Sequence, residues 1–207
     1  MGLLSLLFKN PLDFILIAIP LLYAIILHEL AHGWVAYVMG DPTAKVLGRM
    51  SLNPLKHLDP IGTLLLFIFG FGWAKPVPVN FNQLRNRRLG MVMVSAAGIV
   101  TNMLLAFMAL LLSRLLSLSP FGLPALLLFY FAQINIILAA FNLIPLPPLD
   151  GSKILMGFAS PNVQNFLFRL ERYGFIIIIA LLYFGVLNPV INFFRWGILS
   201  VIRLLLR

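Results

Sequence analysis

Leu21-Leu22-Tyr23-Ala24-Ile25-Ile26-Leu27-His28-Glu29-Leu30-Ala31-His32-Gly33-Trp34-Val35-Ala36-Tyr37-Val38-Met39 sets two histidines and a glutamate inside a run with no other charge. On an α-helix, residues four apart share a face about 6 Å apart along the axis, so His28 and His32 can reach one metal ion. Glu29 follows the first histidine, where its carboxylate can take a proton from a water beside that metal. The alternative is coincidence, with the two imidazoles only capping or packing a helix. The apolar setting favours the metal site, because such groups are costly in lipid unless they face a protein interior and carry a function.

Composition points the same way. Of 207 residues, 61% are hydrophobic and only 10% charged, whereas a soluble domain carries about 25% charged residues. The fold class expected is an all-α multi-spanning membrane protein forming one domain over residues 1–207, with its core over about 11–160. A net charge of +9 could suggest nucleic acid, but the basic residues fall in short clusters between apolar segments. That is the pattern of topology determinants and anionic-lipid contacts, so no nucleic-acid partner is expected. Cysteine is absent, which leaves histidine and carboxylate as the ligands available to a metal. The first 27 residues lack a small-x-small cleavage site and run straight into the metal motif, so they read as a retained span rather than a signal peptide.

About five transmembrane helices are expected. The first runs from Pro11 to Met39 and is stopped by Gly40-Asp41-Pro42; the second runs from Met91 to Leu112, the third from Ala125 to Ile144. Lys153 to Arg172 reads as a short amphipathic surface helix. Tyr173 to Leu187 and Val190 to Leu206 read as two further spans, the last interrupted by Arg195. Ile61 to Trp73 is too short to cross and predicts a re-entrant, β-hairpin-like membrane element. The prolines of Lys75-Pro76-Val77-Pro78-Val79-Asn80-Phe81 predict an extended edge strand.

If Ile61 to Trp73 does not cross, nearly all lysines and arginines fall on one side, Arg203 and Arg207 among them. Only Lys9 and Arg114 fall on the other, with Arg195 unassigned. The crowded side is then cytoplasmic by the positive-inside rule, in a cytoplasmic membrane of prokaryotic type.

A catalytic zinc usually has three protein ligands and one open position. Asp13 lies about four turns from His28 and is too far away. Asp41 and Asp59 sit beside prolines in turns, and Glu171 neighbours Arg169 and Arg172. His57, in a polar loop, stays open as a third ligand. Asp150 is the stronger candidate, since it closes a proline-broken turn after an apolar span, where irregular backbone is tolerated only beside protein or a cavity.

HELAH at 28–32, GWAKPVPVN at 72–80, SAAGIVTN at 95–102 and NLIPLPPLDG at 142–151 together resemble the site-2 protease family of intramembrane zinc metalloproteases. The resemblance runs from about residue 20 to residue 160, with no PDZ module, as in a compact form of the family. It implies one Zn2+ per chain held by His28, His32 and Asp150, with Glu29 as general base. Ile99 stands where the family commonly carries proline, while Asn102 is kept. The resemblance suggests Asn102 as a polar partner of the reacting carbonyl; an interhelical hydrogen bond is its other reading.

The function expected is hydrolysis of peptide bonds in or near transmembrane segments, with single-span membrane proteins and the lipid bilayer as partners. Val77, Val79 and Phe81 are candidate substrate-binding residues, offering a free backbone edge to an unwound substrate. Metal-ion transport and catalytically silent binding are the alternatives. Transport calls for polar residues along a whole path, and silent binding has no need of Glu29.

Overall fold

The computed structural model describes residues 3–69, 72–120 and 122–207. The molecule is helical, as expected. Its helices are α1 (Leu3–Lys9), α2 (Pro11–Val38), α3 (Thr43–Val46), α4 (Pro60–Phe69), α5 (Arg87–Leu115), α6 (Leu123–Asn142), α7 (Asp150–Phe158), α8 (Pro161–Tyr183) and α9 (Leu187–Leu205). Among the described residues, α2, α5 and α6 are each long and apolar enough to cross a membrane. They match the three spans expected first, within a few residues.

The ends of α2 and α5 explain the topology. Gly40 takes φ +111°, a conformation disfavoured for residues with a Cβ, and Pro42 follows. The Arg85 N–H then donates to the Met39 carbonyl at 3.0 Å. Everything between 40 and 84 therefore begins and finishes at the same end of the α2–α5 pair. Inside that stretch the chain doubles back once more. The Lys75 N–H bonds the His57 carbonyl at 2.8 Å and Leu58 bridges Ala74 in antiparallel sense, so the flanks of α4 lie side by side. Ten residues of helix reach about 15 Å, half of a hydrocarbon core. The re-entrant shape is present, but it is built on a helix. The hairpin-like element is corrected to one isolated bridge.

The edge strand at Val77 to Phe81 is also corrected. No strand occurs among the described residues, and Phe81 begins a turn. Pro76 and Pro78 have no N–H to offer. The N–H groups of Val77 and Asn80 donate to the side chains of Glu29 and Asp41, at 2.7 and 2.6 Å. The alternate row of Val77, Val79 and Phe81 is therefore interrupted at Val77.

Against about five spans expected, three helices among the described residues are long and apolar enough to cross, or four with α8 and α9 taken as one. α8 and α9 qualify only as one broken span, bent by 90°, with Gly185 at φ +71° in the break. Leu187 at the start of α9 shares an apolar cluster with Ile144, Leu149 and Ile178. Further along, Ile198 and Ile202 pack with Ala106, Ala109 and Ala132, and Arg114 donates to the Leu206 carbonyl. α9 thus packs along the bundle from the Leu149 end to the Arg114 end, with α8 at right angles to it. The surface helix expected over Lys153 to Arg172 is instead α7 followed by the polar first half of α8. One consequence is that Arg203 and Arg207 join Arg114 and Lys9 at the far end. Arg195 lies part-way along α9, bonded to Gln133, and the remaining basic residues still gather at the opposite end.

Because the chain has no cysteine, single replacements report on this arrangement. In sealed vesicles, Lys56→Cys and Arg172→Cys are expected to react with an impermeant maleimide from one side. Leu116→Cys and Arg207→Cys should react from the other. Labelling of position 207 together with position 56 would mean that α8 and α9 cross separately.

Candidate active site

α2 and α5 run antiparallel, and their facing residues match turn for turn. His28 and His32 on α2, both buried, meet Val94, Gly98 and Asn102, spaced by four, on α5. The His32 Nδ1–H donates to the Val94 carbonyl at 2.7 Å, and His28 Nδ1 meets Asn102 Oδ1. Between them Gly98 presents no side chain. A Cβ there would lie 2.5 Å from His28 Cε1 and 2.6 Å from His32 Nε2. The two rings fill the space that any other residue would occupy.

Asp150 arrives from the opposite side. After α6 the chain turns through bonds from Leu146 N–H to the Ile144 carbonyl (2.8 Å) and from Leu149 N–H to the Leu146 carbonyl (2.9 Å). The Ser152 hydroxyl then donates to the Leu149 carbonyl at 2.7 Å. These local bonds satisfy an irregular backbone in an apolar surrounding and deliver Asp150 as the first residue of α7, a helix end that favours negative charge.

Asp150 Oδ2 lies 3.2 Å from Nε2 of each histidine, and the two Nε2 atoms are 3.0 Å apart. Three ligands of one tetrahedral zinc with bonds of about 2.0–2.1 Å stand about 3.3 Å from one another. Asp150 Oδ2 is buried and has no hydrogen-bond partner. The His32 Nδ1–H is given to the Val94 carbonyl, so Nε2 is the atom turned toward that carboxylate. Donor atoms at this spacing need a proton or a metal ion among them. The three residues form a group able to hold a metal ion, and a nitrogen–oxygen donor set without thiolate suits Zn2+.

Glu29, half-buried, stands beside this group. Its Oε2 accepts the Val77 N–H, and the approach is close because Gly33 has no side chain; a Cβ there would come within 2.9 Å of Val77 Cγ1. The Val77 segment is held at both ends. Arg49 Nη2 donates to the carbonyls of Lys75 (2.9 Å) and Pro76 (3.2 Å). At the other end the fully buried Asp41 accepts the Asn80 N–H. Glu29 and the three donors line a cavity of about 340 Å³, with Pro76 to Val79 as one wall and Ser95 and Lys153 at its margin.

Three comparisons bear on this site. Residues 118–185 match the model of peptidase family M50. YwhC of Bacillus subtilis, named as a candidate zinc metalloprotease, is 41% identical over 196 residues, covering 90% of this chain and 87% of that one. The chain belongs to peptidase family M50. Rip2 of Mycolicibacterium smegmatis, named likewise, is 30% identical over 88% of the M50 chain described here and 70% of its own length. A zinc metalloprotease of Methanocaldococcus jannaschii is 26% identical over 81% of this chain and 38% of that one. No solved structure matches the chain significantly.

In this M50 peptidase the expected residues are brought together with two exceptions. His57 is buried, but its Nε2–H donates to the Ser51 carbonyl at 2.7 Å. It lines a separate, largely apolar cavity of about 310 Å³ that holds none of the donors. Asn102 is close, yet its amide does not face the cavity: one end meets His28 and the other, Nδ2, donates to Asn135 Oδ1 at 2.8 Å. Both ends of the amide are engaged in hydrogen bonds between helices. Reading the sequence missed Gly98, the Val94 carbonyl and the second role of Asp41. Asp41 does serve a turn, through the Thr43 N–H at 3.0 Å, and nothing local shows its bond to Asn80. The Val94-Gly98-Asn102 spacing was the available signal for the α5 face.

Gly98→Ala tests the packing of the two rings. The added methyl is expected to push the imidazoles from the α5 face and lower bound zinc at least about tenfold, the scale seen when ligand-orienting contacts are lost. Helix content should be kept, because alanine favours helix over glycine. Zinc per folded chain and circular dichroism measure the two effects.

Proposed function

We propose that this M50 metalloprotease cleaves peptide bonds in or near transmembrane segments of membrane-protein substrates, in regulated intramembrane proteolysis. One observation carries the reading: a zinc-sized triangle of His28, His32 and Asp150, with Glu29 on the same helix, is buried in an apolar bundle and opens on a cavity. Zinc bound there would polarise the scissile carbonyl and activate water. Glu29 Oε2 is held by Val77, which leaves Oε1 free to take the proton of the attacking water and return it to the leaving amine.

A helical substrate has its carbonyls hydrogen-bonded, so it must unwind before it can be cut. The wall from Pro76 to Val79 is the surface against which the unwound segment would lie. The Val77 donor serves Glu29, and Phe81 packs in the apolar clusters around Leu84 and Met156. Val77, Val79 and Phe81 all line the cavity, and of the three only the Val77 N–H is taken by Glu29. The basic residues Lys45, Arg49, Lys56, Lys75, Arg85 and Lys153 gather at the end that carries the site. That end is assigned to the cytoplasm, and water would enter the cavity from that side.

Glu29→Gln is expected to lower cleavage of a single-span substrate by about 10²–10⁴-fold, the usual contribution of a positioned acid–base group, with zinc still near one per chain. Asp150→Asn should reduce zinc and cleavage together. Zinc lost from the glutamine variant, or full activity in the asparagine variant, would contradict the assigned roles.

A further inference from the structure

His28 binds a metal through Nε2 only if its proton is on Nδ1, and nothing in α2 decides which nitrogen carries it. The partner of Nδ1 is Asn102, an amide with an acceptor at one end and donors at the other. Either end can face a ring nitrogen. Turned one way, Asn102 keeps the proton on Nδ1 and frees Nε2. Turned the other way, it donates to Nδ1, and the neutral ring then carries its proton on Nε2, where it blocks the metal.

The choice is made on α6. Asn135, fully buried, donates through Nδ2 to the Phe131 carbonyl at 2.8 Å, one turn earlier on its own helix. A carbonyl only accepts, so that end of Asn135 must be the NH2 group and the other end must be oxygen. Asn135 Oδ1 then accepts from Asn102 Nδ2 at 2.8 Å. This turns Asn102 Oδ1 to His28, whose Nδ1 must be the donor. Polarity passes from a backbone carbonyl on α6, through two amides, to a ring nitrogen on α2. Each member is buried: Asn102 and Asn135 are 0% exposed and His28 is 7% exposed. Water cannot stand in for any of them.

The geometry points to Asn135 as a positioning residue that, acting through Asn102, fixes the tautomer in which His28 Nε2 accepts metal. The inference rests on His28 being a metal ligand. Its test is designed to fail separately from that reading.

Zinc affinity is measured on the full chain in detergent by competition with a chromophoric chelator, together with thermal unfolding of each variant. Asn135→Leu, similar in size but without either polar end, is expected to weaken zinc binding at least about tenfold, within the 10–100-fold range for outer contacts of metal-bound histidine. Asn135→Asp, protonated in this buried position, still donates to Phe131 and accepts from Asn102. It should keep affinity within about threefold. In an Asn102→Asp background, where zinc on His28 would keep the carboxylate ionised, both outer atoms only accept, so the group cannot donate to Nδ1 whichever way it is turned. There Asn135→Leu should change affinity by less than about threefold, whereas independent effects would add.

Wild-type zinc affinity in Asn135→Leu, or an equal loss from it in both backgrounds, would overturn the relay and leave Asn135 as a packing residue. If the leucine variant does not fold, tenfold weaker binding by Asn135→Asp overturns it instead. His28→Ala is the control. Unchanged zinc affinity in that variant would remove the metal-site reading itself, whereas its loss beside an unaffected Asn135→Leu would remove only the relay.

Discussion

Three electron-rich atoms held within 3.2 Å of one another in an apolar interior set the terms for the rest of the molecule. Two imidazole nitrogens and a carboxylate oxygen at this spacing need a proton or a metal ion among them, the more so in a medium of low dielectric. The bundle holds them together by fixing each from behind. A backbone carbonyl takes one ring proton, an amide takes the other, and a folded loop presents the carboxylate. A metal ion among the three meets that need. The site is therefore organised for its ion before the ion arrives, which limits reorganisation during the reaction.

The same economy governs the glutamate of the histidine motif. Glu29 sits beside the metal donors, where an unanchored side chain would have many conformations to lose. One backbone N–H, from Val77, removes that freedom at one oxygen and leaves the other unoccupied. Val77 reaches it because the chain returns to the α2 terminus twice, first around α4 and again at Arg85. Buried Asp41 and the guanidinium of Arg49 tie the returning segment down. Prolines on both sides of Val77 keep the segment from joining a sheet.

The C-terminal helices show how tertiary packing overrides apolar composition. The segment Phe175-Ile176-Ile177-Ile178-Ile179 is as hydrophobic as a membrane span. α8, which contains it, nevertheless lies at right angles to α9, which packs against α6. Hydropathy measures what a segment tolerates as its surroundings. It carries no information about the direction in which the segment runs.

Local chemistry was legible in the residues themselves. The spacing of His28 and His32 is a property of one helix, and Glu29 follows from adjacency. The three long spans follow from uninterrupted apolar runs, and the re-entrant element from a run too short to cross. Asp150 could be ranked above its rivals because few acidic residues were available. What lay beyond reach were relations between distant parts of the chain. That Asn102 turns its amide to His28 and Asn135, that Gly98 makes room for two rings, and that the Val77 N–H belongs to a carboxylate 48 residues earlier are decided by how α2, α5 and α6 pack. A hydrogen bond between residues far apart in sequence leaves no periodicity to read. Its direction is set only when the third helix brings a carbonyl whose polarity cannot be reversed.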